Sequence, residues 1–162
     1  MIPSPYWRGN SELLCPFCEW IRKEFPKGPE GYVSEDTDRT IRIFKSKKFP
    51  EEDEMGRFMD IELKHISKGY IKKAQVMTFG LKDALLRKAD PERQRYMGFY
   101  LLVMDDYNPY EATKFIVNGI EINYELFHKW MGFEVDLKPY QFPQFISDHM
   151  FGNARAEDEA DG

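Results

Sequence analysis

The chain has 162 residues, of which 42% are hydrophobic, 31% charged and 15% aromatic. This length and composition predict one globular domain over residues 1–152 and a flexible acidic tail over 153–162, and they exclude wholesale disorder. No apolar run approaches the roughly 18–20 residues that a membrane span needs, and we expect no secretory signal because the start lacks basic and apolar segments. Two cysteines are too few for a disulfide framework, which favours the cytoplasm.

The net charge of −5 conceals an asymmetry along the chain. Residues 1–95 hold 19 lysines and arginines against 16 acidic residues, whereas residues 96–162 hold 4 against 12. Within the first part, residues 64–95 hold nine cations and three anions. This division predicts one surface that attracts a polyanion and another that repels it. The alternative is that the charges lie on ordinary solvated faces and that the two parts differ by chance.

The first half of the chain gives short secondary-structure signals. Residues 19–25 are compatible with one or two helical turns. Alternating apolar residues predict strands over 40–44 and 58–63. Residues 71–77 are ambiguous and could form a third strand, and residues 80–89 predict a helix with its leucines on one side.

The second half is clearer. Residues 96–104 are an aromatic and aliphatic run that predicts a buried strand. Segments 113–117 and 120–124 flank Asn118-Gly119, and an Asn-Gly pair between alternating segments is a strong hairpin signal. Two further segments have helical character, namely 126–131 and 142–151.

These elements define an expected fold class. Several strands with a few short helices, without regular alternation, indicate a mainly β or α+β domain. The number of strands fits a small OB-like barrel with short helices, followed by the acidic C-terminal tail. We find no internal repeat in the sequence.

Cys15-Pro-Phe-Cys18 places two thiols close together in the sequence. They could form half of a tetrahedral zinc site, completed by His65, His128 or His149 and a carboxylate. A dithiol redox site is a second interpretation, with Cys15 as the attacking thiolate and Cys18 as the resolving thiol. The third is a pair of buried thiols that pack as small hydrophobes. The spacing leaves all three open.

Asp60-Ile-Glu62-Leu-Lys64 contains an E-x-K on a predicted strand. Strand alternation places Asp60, Glu62 and Lys64 on one face, opposite the apolar residues between them. Restriction-type nucleases hold Mg²⁺ with carboxylates near such a strand, and a lysine assists the attacking water. A polar strand face exposed to water predicts the same pattern.

Cations interleave with aromatic residues over the basic stretch. Single-stranded nucleic-acid binders use cations to follow the phosphates and ring faces to stack the bases. The alternative is that the rings belong to the core and the lysines are ordinary surface residues. The candidate nucleic-acid contacts are Lys64, Lys68, Tyr70, Lys72, Lys73, Arg93, Arg95 and Tyr96.

Parts of the chain resemble a known family. The run LCPFCEWI over 14–21 resembles the zinc-binding CPxCxxI segment of the single-stranded-DNA-binding proteins of T-even phages, and RYMGFYLLVMD over 95–105 is similar to their aromatic-led strand. The acidic residues of the tail are similar in character to those by which such proteins recruit replication partners. The resemblance implies an OB-fold with a zinc subdomain, and it carries over Cys15 and Cys18 as zinc ligands.

The sequence therefore favours a non-catalytic single-stranded nucleic-acid-binding protein of phage replication or recombination. Its expected partners are a single strand and, through the acidic tail, a protein, with no membrane. Its candidate cofactor is zinc. Two alternatives stay open. One is a factor that binds host proteins. The other is an enzyme, either a metal-dependent nuclease through Asp60, Glu62 and Lys64 or a thiol oxidoreductase through the two cysteines.

Overall fold

The computed structural model of the chain describes residues 16–25, 32–35, 40–43 and 55–152. The described strands are β1 (Tyr32–Glu35), β2 (Thr40–Ile43), β3 (Arg57–His65), β4 (Tyr96–Met104), β5 (Phe115–Val117) and β6 (Ile120–Ile122). The helices are α1 (Pro16–Glu24), α2 (Lys73–Ala89), α3 (Tyr124–Met131) and α4 (Gln144–Phe151), with a short 3₁₀ helix over Ile66–Lys68.

The described strands form one mixed sheet in the order β1-β2-β3-β4-β5-β6. β3 and β4 pair in parallel, with Ile61 opposite Tyr100, and the other neighbouring pairs are antiparallel. α2 connects the two parallel strands, because parallel neighbours need a long crossover. The fold is α+β, as expected. The described strands do not form the expected OB-like barrel, because the sheet is open, with β1 and β6 at its edges.

One face of the sheet carries the main hydrophobic core. β3 contributes Met59, Ile61 and Leu63 to it, as the alternation predicted. α1 and α3 cover this face with aromatic side chains, and Trp20 and Phe127 pack with their ring centroids 5.0 Å apart. The polar residues of β3 therefore point to the opposite face of the sheet.

That opposite face packs against α2 and α4. Phe99 of β4 stacks on Phe79 of α2, with ring centroids 4.9 Å apart. Ile146 of α4 lies so close to Gly80 that a Cβ at position 80 would come within 2.6 Å of Ile146 Cδ1. Gly80 thus permits the close approach of the two helices and lies within α2 rather than at its start.

Residues 71–77 are not a third strand, because α2 already begins at Lys73. The side chain of Gln75 accepts a hydrogen bond from the Lys72 backbone N–H at 3.2 Å and so pairs a backbone donor at the helix start. β-branched residues at 71 and 76 gave this segment a strand-like composition, and the packing of α2 on the sheet overrides that preference.

The hairpin predicted at Asn118-Gly119 is confirmed. β5 and β6 flank the pair, and its two residues have φ values of 52° and 82°, as a turn of this kind requires. The predicted strands over 40–44, 58–63 and 96–104 and the helical segments over 80–89, 126–131 and 142–151 coincide with or lie largely within described elements of the same type. The acidic tail over 153–162 lies outside the described residues.

Candidate functional site

Asp60, Glu62 and Lys64 occupy alternate positions on β3, on the face that α2 covers. Lys64 Nζ lies 3.3 Å from Oε1 of Gln75 in the first turn of α2. Further along the helix, Lys82 Nζ lies 3.2 Å from Asp60 Oδ2. α2 therefore runs antiparallel to β3 across the three polar side chains. We call Asp60, Glu62, Lys64 and Gln75 the β3 cluster.

Asp60 is the most buried member of the β3 cluster, with 4% of its surface exposed. Its Oδ1 accepts a hydrogen bond from the Thr40 hydroxyl at 2.7 Å, and its Oδ2 pairs with Lys82. A buried carboxylate needs such partners, because burial removes it from water. The two contacts hold Asp60 between β2 and α2.

The other three members of the cluster are half-buried. Lys64 Nζ lies 3.4 Å from Glu62 Oε1 as well as 3.3 Å from Gln75 Oε1, so the ammonium lies between a carboxylate and an amide oxygen. Gln75 is not among the predicted site residues, because residues 71–77 are ambiguous in the sequence and could form a strand. If this segment is taken as a helix, Gln75 falls in its first turn, which lies near the end of β3.

A second buried carboxylate lies on α2. Asp83 is 3% exposed; the Tyr96 hydroxyl donates to its Oδ1 at 2.6 Å, and Arg87 Nε lies 2.8 Å from its Oδ2. Burial raises the pKa of Asp83, although both partners favour its charged form. Burial and the bond to Asp83 raise the pKa of Tyr96 well above its usual value. Tyr96 is 2% exposed, so its ring has almost no free surface for the base stacking predicted from the sequence.

The two predicted arginine contacts are engaged within the protein. Arg93 pairs with both oxygens of Asp136, at 2.9 and 3.0 Å, and donates to the Met97 carbonyl oxygen. Arg95 Nη1 donates to the Gly56 carbonyl oxygen at 3.1 Å. Both arginines immediately precede β4, whereas Lys64 lies near the last residue of the parallel neighbour β3. Arg93 and Arg95 therefore lie at the opposite end of the β3–β4 pair from Lys64.

The remaining predicted contacts lie together on residues 68–73, which we call the basic loop. Lys68, Lys72 and Lys73 are exposed, and the Tyr70 side chain is 62% exposed. None of the three lysines forms an ion pair with a residue that the structure describes. A Cβ at Gly69 would come within 2.9 Å of Val103 Cγ1. The basic loop thus packs on β4 beside the end of β3 that carries Lys64.

The cysteine pair is only partly within the described residues. Cys18 is half-buried on α1, and Cys15 lies outside the described ranges. Within those ranges, no three histidine, cysteine, aspartate or glutamate side chains converge as metal ligands. Zinc on Cys15 and Cys18 therefore stays a prediction.

No protein family, curated protein or solved structure matches this chain. No helix in the described part of the chain is both long and apolar enough to cross a membrane. The β3 cluster and the basic loop lie side by side, joined by the contacts of Gln75 with Lys64 and Lys72.

Proposed function

We propose that the protein is a metal-dependent nuclease and that the β3 cluster cleaves phosphodiester bonds of nucleic acid. The supporting observation is that Asp60, Glu62 and Lys64 lie on one face of β3, where Gln75 of α2 contacts Lys64, next to the exposed lysines of the basic loop. The sequence alone favoured binding without catalysis. The burial of Tyr96 and the pairing of Arg93 with Asp136 weaken the hypothesis of binding without catalysis. The contact of Gln75 with Lys64 supports the nuclease.

The donor atoms of the β3 cluster fit Mg²⁺ or Mn²⁺. Asp60 and Glu62 would supply carboxylate oxygens, which hard divalent cations prefer. Mg²⁺ commonly takes one or two carboxylates and completes its shell with water and substrate phosphate, whereas structural zinc needs four protein ligands. Two carboxylates would therefore be sufficient here once Lys82 releases Asp60 Oδ2 to the metal ion. A bound divalent ion supplies polarisation of the phosphoryl group and a water with a lowered pKa.

Lys64 is the residue that we expect to contact the scissile phosphate. Its ammonium is held between Glu62 and Gln75, so a phosphate oxygen beside it would meet a positive charge already in place. Preorganised charge of this kind stabilises the negative charge that develops in the transition state. Gln75 acts through Lys64 and is therefore a positioning residue.

A second candidate function is nucleic-acid binding without catalysis. The contacts of Asp60 favour this second candidate, because Thr40 and Lys82 already engage both of its carboxylate oxygens. If a metal ion does not displace Lys82, Glu62 is left as the available carboxylate. The basic loop would then hold a strand that the β3 cluster does not cleave.

Cleavage and binding of one labelled oligonucleotide distinguish the two candidates. The wild-type protein is assayed with Mg²⁺, with Mn²⁺ and with EDTA, and its affinity is measured by fluorescence anisotropy at several salt concentrations. A nuclease cleaves with a divalent ion and stops in EDTA. Salt-sensitive binding without cleavage in either ion supports the second candidate, since phosphate contacts weaken steeply with salt. Absence of both cleavage and binding contradicts both candidates.

A further inference from the structure

We propose that the substrate of the β3 cluster is an unpaired strand whose bases stack on Tyr70. This inference rests on the proposed function, because it specifies the substrate of the same site. Tyr70 lies in the basic loop between Lys68 and Lys72, with most of its side chain in water. Surfaces that bind single strands combine cations along the phosphates with aromatic rings under the bases.

Tyr70 lies close to the β3 cluster, because Gln75 of the cluster is hydrogen-bonded to the basic loop. Gln75 Oε1 accepts hydrogen bonds from Lys64 Nζ and from the Lys72 backbone N–H. The Lys72 backbone therefore lies beside the Lys64 ammonium, and Tyr70 is two residues away, at most about 7 Å between Cα atoms. A base stacked on Tyr70 would thus belong to a nucleotide close to the phosphate at Lys64.

Tyr70 is exposed, although hydrogen bonds and packing hold the residues on both sides of it in place. His65 Nδ1 accepts a hydrogen bond from the Ser67 N–H at 3.1 Å, which fixes the start of the 3₁₀ helix. Gly69 rests against Val103 with no room for a side chain, and Lys72 is bonded to Gln75. The segment is held on both sides of Tyr70, yet its aromatic ring stays in water, where it can offer a face to a ligand.

This arrangement favours unpaired bases over a duplex. A base inside a duplex is already stacked on both faces, whereas an unpaired base has a free face and gains about 1–3 kcal/mol on an aromatic ring. Lys68, Lys72 and Lys73 would follow the phosphates, which carry no sequence information. The site should therefore accept single strands with little sequence preference.

Binding is measured by anisotropy in EDTA, so that metal-dependent cleavage does not interfere. The probes are a short single strand and the blunt-ended duplex of the same length. We expect the single strand to bind at least about tenfold more tightly than the duplex, and Tyr70→Ala to weaken single-strand binding by about 5- to 150-fold. Tyr70→Phe keeps the ring and should retain most of the affinity. Phe145→Ala is the control, because Phe145 is 57% exposed on α4.

Equal affinity for the two probes, or an unchanged affinity of Tyr70→Ala, would overturn this inference. Cleavage in Mg²⁺ is measured separately. Tyr70-dependent single-strand binding without cleavage overturns the nuclease and leaves the binding preference standing. Metal-dependent cleavage of strand and duplex alike, unaffected by Tyr70→Ala, overturns the preference and leaves the nuclease standing.

Discussion

The amide oxygen of Gln75 accepts hydrogen bonds from the Lys64 ammonium, at 3.3 Å, and from the Lys72 backbone N–H, at 3.2 Å. One side chain of α2 thereby joins the end of β3 to the basic loop. The position of the Lys64 charge consequently depends on the first turn of α2, and the same residue caps that helix.

Substitution of Gln75 should separate positioning from stability. Gln75→Leu removes the acceptor, and we expect single-turnover cleavage to fall about 10- to 100-fold, because small displacements of a catalytic group are costly. The free energy of unfolding should fall by about 1 kcal/mol, since the Lys72 N–H loses its partner. Gln75→Glu keeps an acceptor oxygen and should recover part of the rate. A loss of stability with unchanged turnover of the folded variant would contradict the positioning role.

Tyr96→Phe should destabilise the protein without weakening nucleic-acid binding. The variant removes the hydroxyl that donates to buried Asp83, and a buried acceptor that loses a donor costs about 1–3 kcal/mol. Urea unfolding measures the change, and Tyr107→Phe serves as the control at an exposed ring. Weaker binding of a single strand by Tyr96→Phe at unchanged stability would contradict a purely structural role of this hydroxyl.

Asp105 should show a strongly acidic titration. The Thr113 hydroxyl and the backbone N–H groups of Lys114 and Thr113 donate to its carboxylate and lower its pKa to about 2. Because the folded pKa lies below the ordinary value of 3.8, this carboxylate stabilises the fold above about pH 4, and its contribution is lost as the pH falls toward 2. Carboxyl ¹³C NMR of the wild type should give a midpoint near 2, and Thr113→Val should shift it upward. A wild-type midpoint near 3.8 would show that these hydrogen bonds are absent in solution.

Local signals in the sequence were sufficient for much of the sheet. Asn118-Gly119 determines its turn through its own φ preferences, and the alternation around Ile61 determines which face of β3 is polar. Both features depend on residues that are neighbours in the sequence. The α+β class and the polar face of β3 could therefore be predicted.

Long-range partners decided what the sequence could not predict. Nothing in the sequence indicates that Arg93 pairs with Asp136, because the two residues are distant in the chain and only the fold brings them together. In the sequence, Tyr96 is an aromatic residue beside cations, and only the packing of α2 shows that its hydroxyl binds Asp83. Gln75 could be assigned to the site only once its segment was known to be helical, because the helix returns it to the end of β3.

Cleavage by Glu62→Gln compared with Glu121→Gln tests the nuclease most directly. Both variants change one carboxylate to an amide, but Glu62 belongs to the β3 cluster and Glu121 is exposed on β6. In Mg²⁺ we expect Glu62→Gln to lose at least about 100-fold in cleavage rate, because a carboxylate that would hold the metal is gone. It should still bind a single strand in EDTA, and Glu121→Gln should cleave like the wild type. A wild-type cleavage rate from folded Glu62→Gln would contradict the proposed nuclease.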